Sequence, residues 1–222
     1  MTTATLTPTC QTPSEVTTAA ILRVLEDAWG QIRTRHPDVP EAVLIIGPGT
    51  AGKGRPKWGH FAALRWQHGS TQLPEILIAG EGLARSAEEV LATLLHEAAH
   101  GVASVRRIQD TSRQGRWHNK RFAALADELG LTAEKDPTIG WSLTTIREAT
   151  KDTYADTLTA LTGAMRLYRH PDPERSTSRK DSNNGLTCEC DCPRKIRVAA
   201  AVLEEGEITC GVCGTDFTPE SG

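Results

Sequence analysis

The chain has 222 residues, of which 38% are hydrophobic and 24% are charged, and its formal net charge is −3. This length suits one compact domain of about 100–200 residues with a small appendage, and the composition excludes wholesale disorder and a globally basic nucleic-acid binder. The longest apolar run, Val198–Leu203, has six residues, whereas a membrane span needs about 20. Because the N-terminus also lacks the basic start and apolar stretch of a secretory signal, we expect a cytoplasmic protein without a membrane partner.

Hydrophobic periodicity predicts an α+β fold, in which helices pack on short strands. Helices are expected at 14–35, 86–106, 118–129 and 144–168. Strands are expected at 42–46, 60–66 and 76–79. The domain organisation predicted from these elements is a disordered leader (1–13), one domain (14–169), a polar linker rich in Pro and Ser (170–185) and a cysteine module (186–222).

A glycine-rich segment, Gly47–Gly54, nearly matches two phosphate-binding patterns. Both patterns require a helix directly after the loop, because the helix N-terminus binds the phosphate. The residues that follow end in Gly59 and then alternate like a strand, so we interpret the segment as a hairpin connection.

The strongest predicted helix contains His96-Glu97-Ala98-Ala99-His100, an H-E-x-x-H motif. Histidines four residues apart lie about 40° apart around a helix, so both imidazoles can reach one ion. Glu97 lies about 100° from His96 and can take a proton from a water molecule without ligating the metal. The apolar residues of this helix gather on the other side: Leu91, Leu94, Leu95, Ala98 and Val102. The pattern indicates histidines that face a cleft, and two solvated surface histidines are the alternative.

A catalytic zinc site needs a third protein ligand and one open position for water. The metzincin extension of the motif fails, because Ala103 and Arg106 replace its glycine and histidine. Asp127, Glu128 and His118 are the remaining candidates. On a helical wheel His118 shares the apolar side of its predicted helix, whereas Glu128 lies about 80° and Asp127 about 180° away from it. This favours His118, and the alternative is a helix-terminal histidine that contacts backbone or solvent.

The chain resembles the SprT-like zinc metalloproteases, which include bacterial SprT and the eukaryotic Spartan proteases that clear proteins crosslinked to DNA. The resemblance rests on LLHEAAHGVA (94–103), on GRWHNKRFAALADELG (115–130) and on the later cysteines, and it extends from about Pro13 to Phe217. One departure is Asn119, at a position where the family often has glycine.

This resemblance implies a zincin-like domain with His96, His100 and His118 as zinc ligands and Glu97 as catalytic base. It also implies that an edge strand, 76–79 here, aligns the peptide substrate. A protein or peptide substrate is therefore expected, and DNA-associated proteins are one class that the resemblance suggests.

Five of the six cysteines lie between Cys188 and Cys213. In a reducing compartment such a cluster indicates a metal site rather than a disulfide framework. Cys210 and Cys213 form a C-x2-C-G half of a zinc ribbon, a closed structural site. The first half has three thiols for two places, and we predict Cys188 with Cys190, while Cys190 with Cys192 is the alternative. Unligated thiols or a redox pair would be the metal-free interpretation.

These patterns predict two zinc ions, one catalytic and one structural, in a metalloendopeptidase. The competing hypothesis is a zinc-containing protein that associates with nucleic acid and has little or no proteolytic activity. Residues 166–197 carry eight Lys/Arg against five Asp/Glu, which is compatible with phosphate contacts. Aromatic stacking residues are nearly absent there, so a solvated linker is the preferred interpretation. The oligomeric state is left open.

Overall fold

The structure is a computed structural model that describes residues 18–49, 57–171 and 185–219. It is a mixed α+β protein with small sheets and six helices in the described residues. The chain divides into two compact units, Met1–Pro171 and Asp172–Gly222. The predicted leader, with Cys10, and nearly all of the predicted linker lie outside the described residues. None of the described helices is both long and apolar enough to span a membrane.

The described residues of the first unit form five helices, one 3-10 turn and seven strands. The helices are α1 (Thr18–Arg35), α2 (Ala87–Val105), α3 (Lys120–Glu128), α4 (Glu148–Thr153) and α5 (Ala155–Ala164), and the 3-10 turn is Gly80–Ala84. The strands are β1 (Val43–Gly47), β2 (Gly59–His68), β3 (Thr71–Ala79), β4 (Thr111–Ser112), β5 (Trp117–His118), β6 (Leu131–Asp136) and β7 (Gly140–Ile146).

The first sheet has the order β1-β3-β2, with β1 parallel and β2 antiparallel to β3. The three strands predicted for this region are confirmed, but the edge-strand assignment is wrong. Residues 76–79 belong to β3, which is hydrogen-bonded on both sides, so its backbone has no free edge for a substrate. The strand with an unpaired edge beside α2 is β2. The next described element after β1 is this strand. Residues 50–56 lie outside the described residues, so the interpretation of 47–54 as a hairpin connection stays a prediction.

Helix α2 begins at the predicted capping box, which is confirmed. The Glu89 N–H donates to Ser86 Oγ at 3.2 Å, and the Ser86 N–H donates to Glu89 Oε2 at 3.0 Å. Most of the helix is buried, and its leucines Leu91, Leu94 and Leu95 are fully inaccessible. The helix therefore forms the centre of the hydrophobic core, against which β2, α3 and the second sheet pack.

The second sheet has the order β4-β5-β7-β6, and two predictions fail in it. The predicted helix 144–168 is wrong at its start, because Thr144, Thr145 and Ile146 pair with β6. These β-branched residues prefer a pleated, half-buried surface to a helix. The predicted helix at 118–129 begins only at Lys120, and His118 lies on β5, one residue before the N-cap Asn119.

Asn119 caps α3, with its side-chain oxygen accepting from the N–H of Arg121 at 2.7 Å and of Phe122 at 3.3 Å. Asparagine is among the preferred N-cap residues because it satisfies backbone donors that have no partner within the helix. Asn119 thus has a local structural role at the start of α3.

The second unit contains strands β8 (Leu186–Glu189), β9 (Lys195–Val198) and β10 (Thr218–Pro219) and helix α6 (Ala200–Glu205). Its strand order is β10-β8-β9. Among residues 185–219 of this unit few are buried: Cys188, Cys190, Cys210 and Phe217. So small an apolar core rarely stabilises a fold without a metal or a crosslink.

Candidate metal centres

Three histidines converge in the first unit. His96 and His100 lie one turn apart on α2, and His118 comes from β5. One ligand nitrogen from each ring lies within 4.8 Å of the others, and the Nε2 atoms of His100 and His118 are 3.1 Å apart. The structure therefore brings all three predicted histidines together. His118 arrives from a strand, and not from the helix that was predicted to carry it.

The position of β5 depends on a glycine. Gly140 on β7 has φ +73°, and a Cβ atom there would lie 2.1 Å from the carbonyl oxygen of His118. Only glycine allows this close approach without strain. The neighbouring Ile139 accepts a hydrogen bond from the His118 N–H at 3.0 Å, so the backbone of His118 is fixed from β7.

A buried phenylalanine packs against all three rings. The ring centroid of Phe122, which is inaccessible to solvent, lies 4.5–4.8 Å from the centroids of His96, His100 and His118. Phe122 is in the first turn of α3, so the cap at Asn119 also determines where this ring lies. The imidazoles thus rest on an apolar surface that restricts their rotation.

Two of the imidazoles are oriented by hydrogen bonds that the sequence analysis missed. His100 Nδ1 lies 2.5 Å from Asp110 Oδ2, and His96 Nδ1 lies 3.1 Å from Thr144 Oγ1. In each ring Nδ1 is engaged, which leaves Nε2 as the free ligand atom. A metal-binding histidine typically donates its other ring N–H to a carboxylate or another oxygen in this way.

The environment favours the neutral form of the histidines, which is the form that binds metal. Burial, together with the charges of the neighbouring imidazoles, holds the pKa of His96 well below its ordinary value. Burial and the charge of His100 lower the pKa of His118 to about 4. His118 Nδ1 is also buried and has no hydrogen-bond partner in the described part of the chain.

The donor set fits a zinc ion. Zn–N bonds of about 2.0–2.1 Å in a tetrahedral site place the ligand nitrogens about 3.3–3.4 Å apart. The 3.1 Å between His100 Nε2 and His118 Nε2 is close to this separation. Three imidazoles leave one tetrahedral position open, as in catalytic zinc sites, whereas structural sites use four protein ligands.

Glu97 lies beside the histidines and is 5% exposed. Burial raises the pKa of its carboxyl to about 7, although the charge of His100, the N–H of Phe61 and the charge of Lys57 act in the opposite direction. A Cβ atom at Gly59 would lie 2.6 Å from Glu97 Oε1. Strand β2 therefore passes directly against this carboxylate, and a residue with a side chain at position 59 would displace it.

The two competing carboxylates have other partners. Glu128 accepts from Arg106 at 2.7 Å, and Asp127 forms an ion pair with Arg147. Neither carboxylate belongs to the group of residues whose ligand atoms lie close together, which consists of His96, His100 and His118. The three histidines are therefore the donor set at this position among the described residues.

The second unit contains a group of four free thiols, and its members differ from the predicted set in one residue. Cys190, Cys192, Cys210 and Cys213 have sulfur atoms within 4.8 Å of one another. The sulfur of Cys192 lies 3.4 Å from that of Cys190 and 3.8 Å from that of Cys210. In a tetrahedral site with Zn–S bonds of about 2.3 Å, the sulfurs lie about 3.8 Å apart. This donor set also fits zinc.

Cys188, which was predicted as a ligand, is not in this group. It lies inside β8, is inaccessible to solvent and packs in the small core with Phe217, with its sulfur 3.8 Å from the carbonyl oxygen of Leu186. The strand ends at Glu189, and the bend that follows brings Cys190 and Cys192 together. A thiol inside the strand is thus part of the core, while the two thiols beyond its end form the first half of the site.

Hydrogen bonds at the second half favour thiolate there. The Thr215 hydroxyl, whose oxygen is 3.1 Å from Cys213 Sγ, and the Thr215 backbone N–H lower the pKa of the Cys213 thiol. Thiolate is the form that ligates metal.

The chain was compared with protein-family models, with curated proteins and with solved structures, and no match was found in any of the three.

Proposed function

We propose that this chain is a zinc-dependent endopeptidase of the SprT-like type, with a zincin-like catalytic domain followed by a zinc ribbon. The observation that most strongly supports the proposal is the convergence of three imidazoles beside the buried carboxylate of Glu97. If His96 and His100 were only a solvated surface pair, we would expect no third imidazole from another element beside them. We would also expect no hydrogen bonds that fix their Nδ1 atoms. The resemblance to the SprT-like family in the H-E-x-x-H segment points to the same chemistry.

His96, His100 and His118 would hold the catalytic zinc, which when bound supplies Lewis-acid polarisation of a carbonyl and lowers the pKa of water. Asp110 and Thr144 keep two of these rings in the orientation that presents Nε2. The buried Phe122 ring excludes water from one side of the site.

Glu97 moves the proton in the proposed reaction. One carboxylate oxygen accepts a proton from water, and the carboxyl then delivers it to the nitrogen of the leaving amine. The N–H of Phe61 and the close approach of Gly59 hold this side chain against β2. A fixed, buried base is the arrangement that such proton transfer requires.

The free edge of β2 is the proposed binding surface for the substrate backbone. In the described residues β2 pairs only with β3, so its other edge has no strand partner and, apart from the Phe61 N–H that Glu97 engages, is proposed to receive an extended peptide. Adding a peptide as a further strand is a common recognition mode. Since Phe61 belongs to β2 and contacts Glu97, a peptide bound there lies next to the base.

Cys190, Cys192, Cys210 and Cys213 would hold the second zinc in the proposed ribbon. Four thiolates leave no open position, so this ion would act in folding and not in catalysis.

The test is Glu97→Gln. The amide has nearly the same volume but cannot accept the proton, so we expect cleavage of an unstructured protein such as casein to fall by about 10²–10⁴-fold. Zinc content and the unfolding midpoint should be unchanged. Glu88→Gln, on the exposed first turn of the same helix, is the matched control and should retain full activity.

Two results would contradict the proposal. Cleavage retained in the Glu97→Gln protein would exclude this residue as the base. A zinc-loaded wild type that cleaves no unstructured protein, yet binds DNA in a salt-sensitive manner, would favour the nucleic-acid-binding hypothesis.

A further inference from the structure

The connection between α2 and α3, together with the first turn of α3, forms a strongly basic stretch. Residues 106–121 contain six Lys/Arg and a single acidic residue, Asp110, although the net charge of the whole chain is −3. Asp110 is already bonded to His100. The stretch therefore presents positive charge directly beside the histidine site.

Most of these cations have no carboxylate partner. Arg106 pairs with Asp38 and Glu128. The other five are exposed, and within the described chain none of them forms an ion pair: Arg107, Arg113, Arg116, Lys120 and Arg121. Their charge is thus available to an external anion.

Two of these five cations, both arginines, are held in place by neutral groups. The Arg113 guanidinium stacks 4.7 Å from the centroid of the Trp117 ring. Arg116 donates to Gln114 Oε1 at 3.2 Å. These contacts restrict the side chains without neutralising them, which lowers the entropy that a ligand must remove on binding.

A shallow, open depression of about 470 Å³, called the cleft below, lies in this stretch. All of its lining residues are polar, and two are cations: Gln109, Thr111, Ser112, Asn119, Lys120 and Arg121. No carboxylate lines it. Amide, hydroxyl and guanidinium donors together suit an anionic group that needs several hydrogen bonds.

The cleft adjoins the histidine site through the backbone. Thr111 lies opposite His118 in the β4–β5 pair. The Asn119 N–H donates to the carbonyl oxygen of Asp110 at 2.9 Å. Successive Cα atoms are about 3.8 Å apart, so the cleft begins one residue from a proposed zinc ligand. A polypeptide bound at Glu97 therefore reaches the cleft within a few residues.

We propose that this cleft selects acidic side chains, so that the substrates are polypeptides with Glu or Asp near the cleaved bond; this inference rests on the proposed peptidase function. A carboxylate fits the fork of Arg121 and the ammonium of Lys120. A nucleic acid fits less well, because the Trp117 ring is covered by Arg113 and is not free to stack on a base.

The test uses the full zinc-loaded chain and a series of fluorogenic peptides that differ at one position. A single Glu, Gln or Lys is placed in turn at each of the three positions on either side of the cleaved bond. We expect one position at which kcat/KM for Glu exceeds that for Gln by roughly three- to tenfold, as an exposed but hydrogen-bonded ion pair gives. Lys at that position should be the poorest substrate.

The matched variants are Lys120→Gln/Arg121→Gln in the cleft and Arg23→Gln/Arg33→Gln on the exposed side of α1. Each of these two double variants removes two positive charges. The cleft variant should bring the Glu/Gln ratio close to one while cleavage of the Gln peptide is retained, and the α1 variant should keep the wild-type ratio. Equal kcat/KM for Glu and Gln at every position in the wild type would overturn the proposal.

A binding measurement separates this proposal from the peptidase proposal. The affinity of Glu97→Gln for the same peptides is measured by fluorescence anisotropy, without turnover. If the wild type cleaves no peptide, but the Glu peptide binds more tightly than the Gln peptide through Lys120 and Arg121, the cleft is a site for acidic peptides and only the peptidase proposal fails. If the cleft variant loses binding of a DNA duplex while the Glu/Gln ratio does not change, the surface is a nucleic-acid site and the inference fails.

Discussion

At the scale of single residues, the candidate site depends on side chains that orient the histidines. Asp110 and Thr144 each engage one Nδ1 atom, and Phe122 packs beneath all three rings. None of these three residues supplies a metal ligand in the proposed site. Their effect is to present ring nitrogens at a fixed separation, which reduces the entropy cost of binding an ion.

Asp110→Asn tests this orientation. The substitution keeps the size of the side chain but removes the charge that faces His100 Nδ1, so the basicity of the imidazole should fall. We expect the zinc affinity of the histidine site to weaken about 10–100-fold. The measurement is chelator competition in a Cys192→Ser background, which disrupts the second site. Asp38→Asn, at a surface ion pair with Arg106, is the control, and equal affinities in the two variants would contradict this role.

The sequence predicts these residues unequally. Helical spacing places His96 and His100 on one side of α2, because the period of a helix fixes their angle. His118 is at the site although the helical-wheel reasoning that selected it does not apply to a strand. Asp110 follows no periodic pattern, since it lies in a connection whose path is set by tertiary contacts. No local signal marks it as the partner of His100.

At the scale of secondary-structure elements, the central feature is the approach of β2 to α2. Gly59 lets the strand contact Glu97 and Thr93 on the helix. The preceding residue, Trp58, lies under the guanidinium of Arg85, 4.6 Å from it, and Arg85 donates to Thr93 Oγ1 at 2.9 Å. The start of the strand is thus fixed one turn before Glu97.

Gly59→Ala should disturb the base without removing a ligand. The new Cβ would lie 2.6 Å from Glu97 Oε1, so the carboxylate or the strand must move. We expect kcat to fall by about 10–100-fold, the cost of a displacement of about 1 Å at a reacting group. The control is Gly163→Ala on α5, where a Cβ meets nothing within 4 Å. Wild-type kcat in the Gly59→Ala protein would show that this contact does not position the base.

Elements with a strong local signal were predictable, and those formed by pairing were not. The capping box at Ser86 and Glu89 starts α2 as expected, because both partners are close in sequence. Residues 131–136 show weak strand preference and become β6 only through pairing with Thr144–Ile146. The same pairing places Thr144 in a strand, although the sequence pattern predicted a helix there. Asn119 shortens α3 because its side chain caps the helix one residue after His118.

At the scale of the whole molecule, the chain combines two units with different sources of stability. The first has an extended apolar core built around α1 and α2. The second buries few residues, of which three are cysteines. We therefore expect metal removal to unfold the second unit while the first keeps its secondary structure.

Paired cysteine variants test the second centre. Cys192→Ser removes a proposed ligand, so the bound zinc should fall from two ions to one per chain. Cys188→Ser changes a buried thiol of the core and should retain both ions, at a modest cost in stability. Metal content by mass spectrometry distinguishes the two, and loss of zinc in Cys188→Ser alone would restore the set predicted from the sequence.

The sequence predicted that the late cysteines form one cluster, but not which of them belong. Three thiols at alternate positions are equivalent by spacing alone. In the structure β8 ends at Glu189, which leaves Cys188 in the strand and places Cys190 and Cys192 beyond its end. This difference favours Cys190 and Cys192 as the first half of the proposed site. Strand ends depend on pairing with β9 and β10, which one sequence does not specify.

The most direct measurement for the whole account is anomalous scattering at the zinc edge from crystals of the zinc-loaded protein. We predict a peak in the first unit that lies about 2.0–2.1 Å from one ring nitrogen each of His96, His100 and His118. Glu97 should lie beside the fourth position without ligating the ion. A first unit with no peak among these rings, or a peak with Glu97 or another protein group as fourth ligand, would contradict a catalytic zinc site.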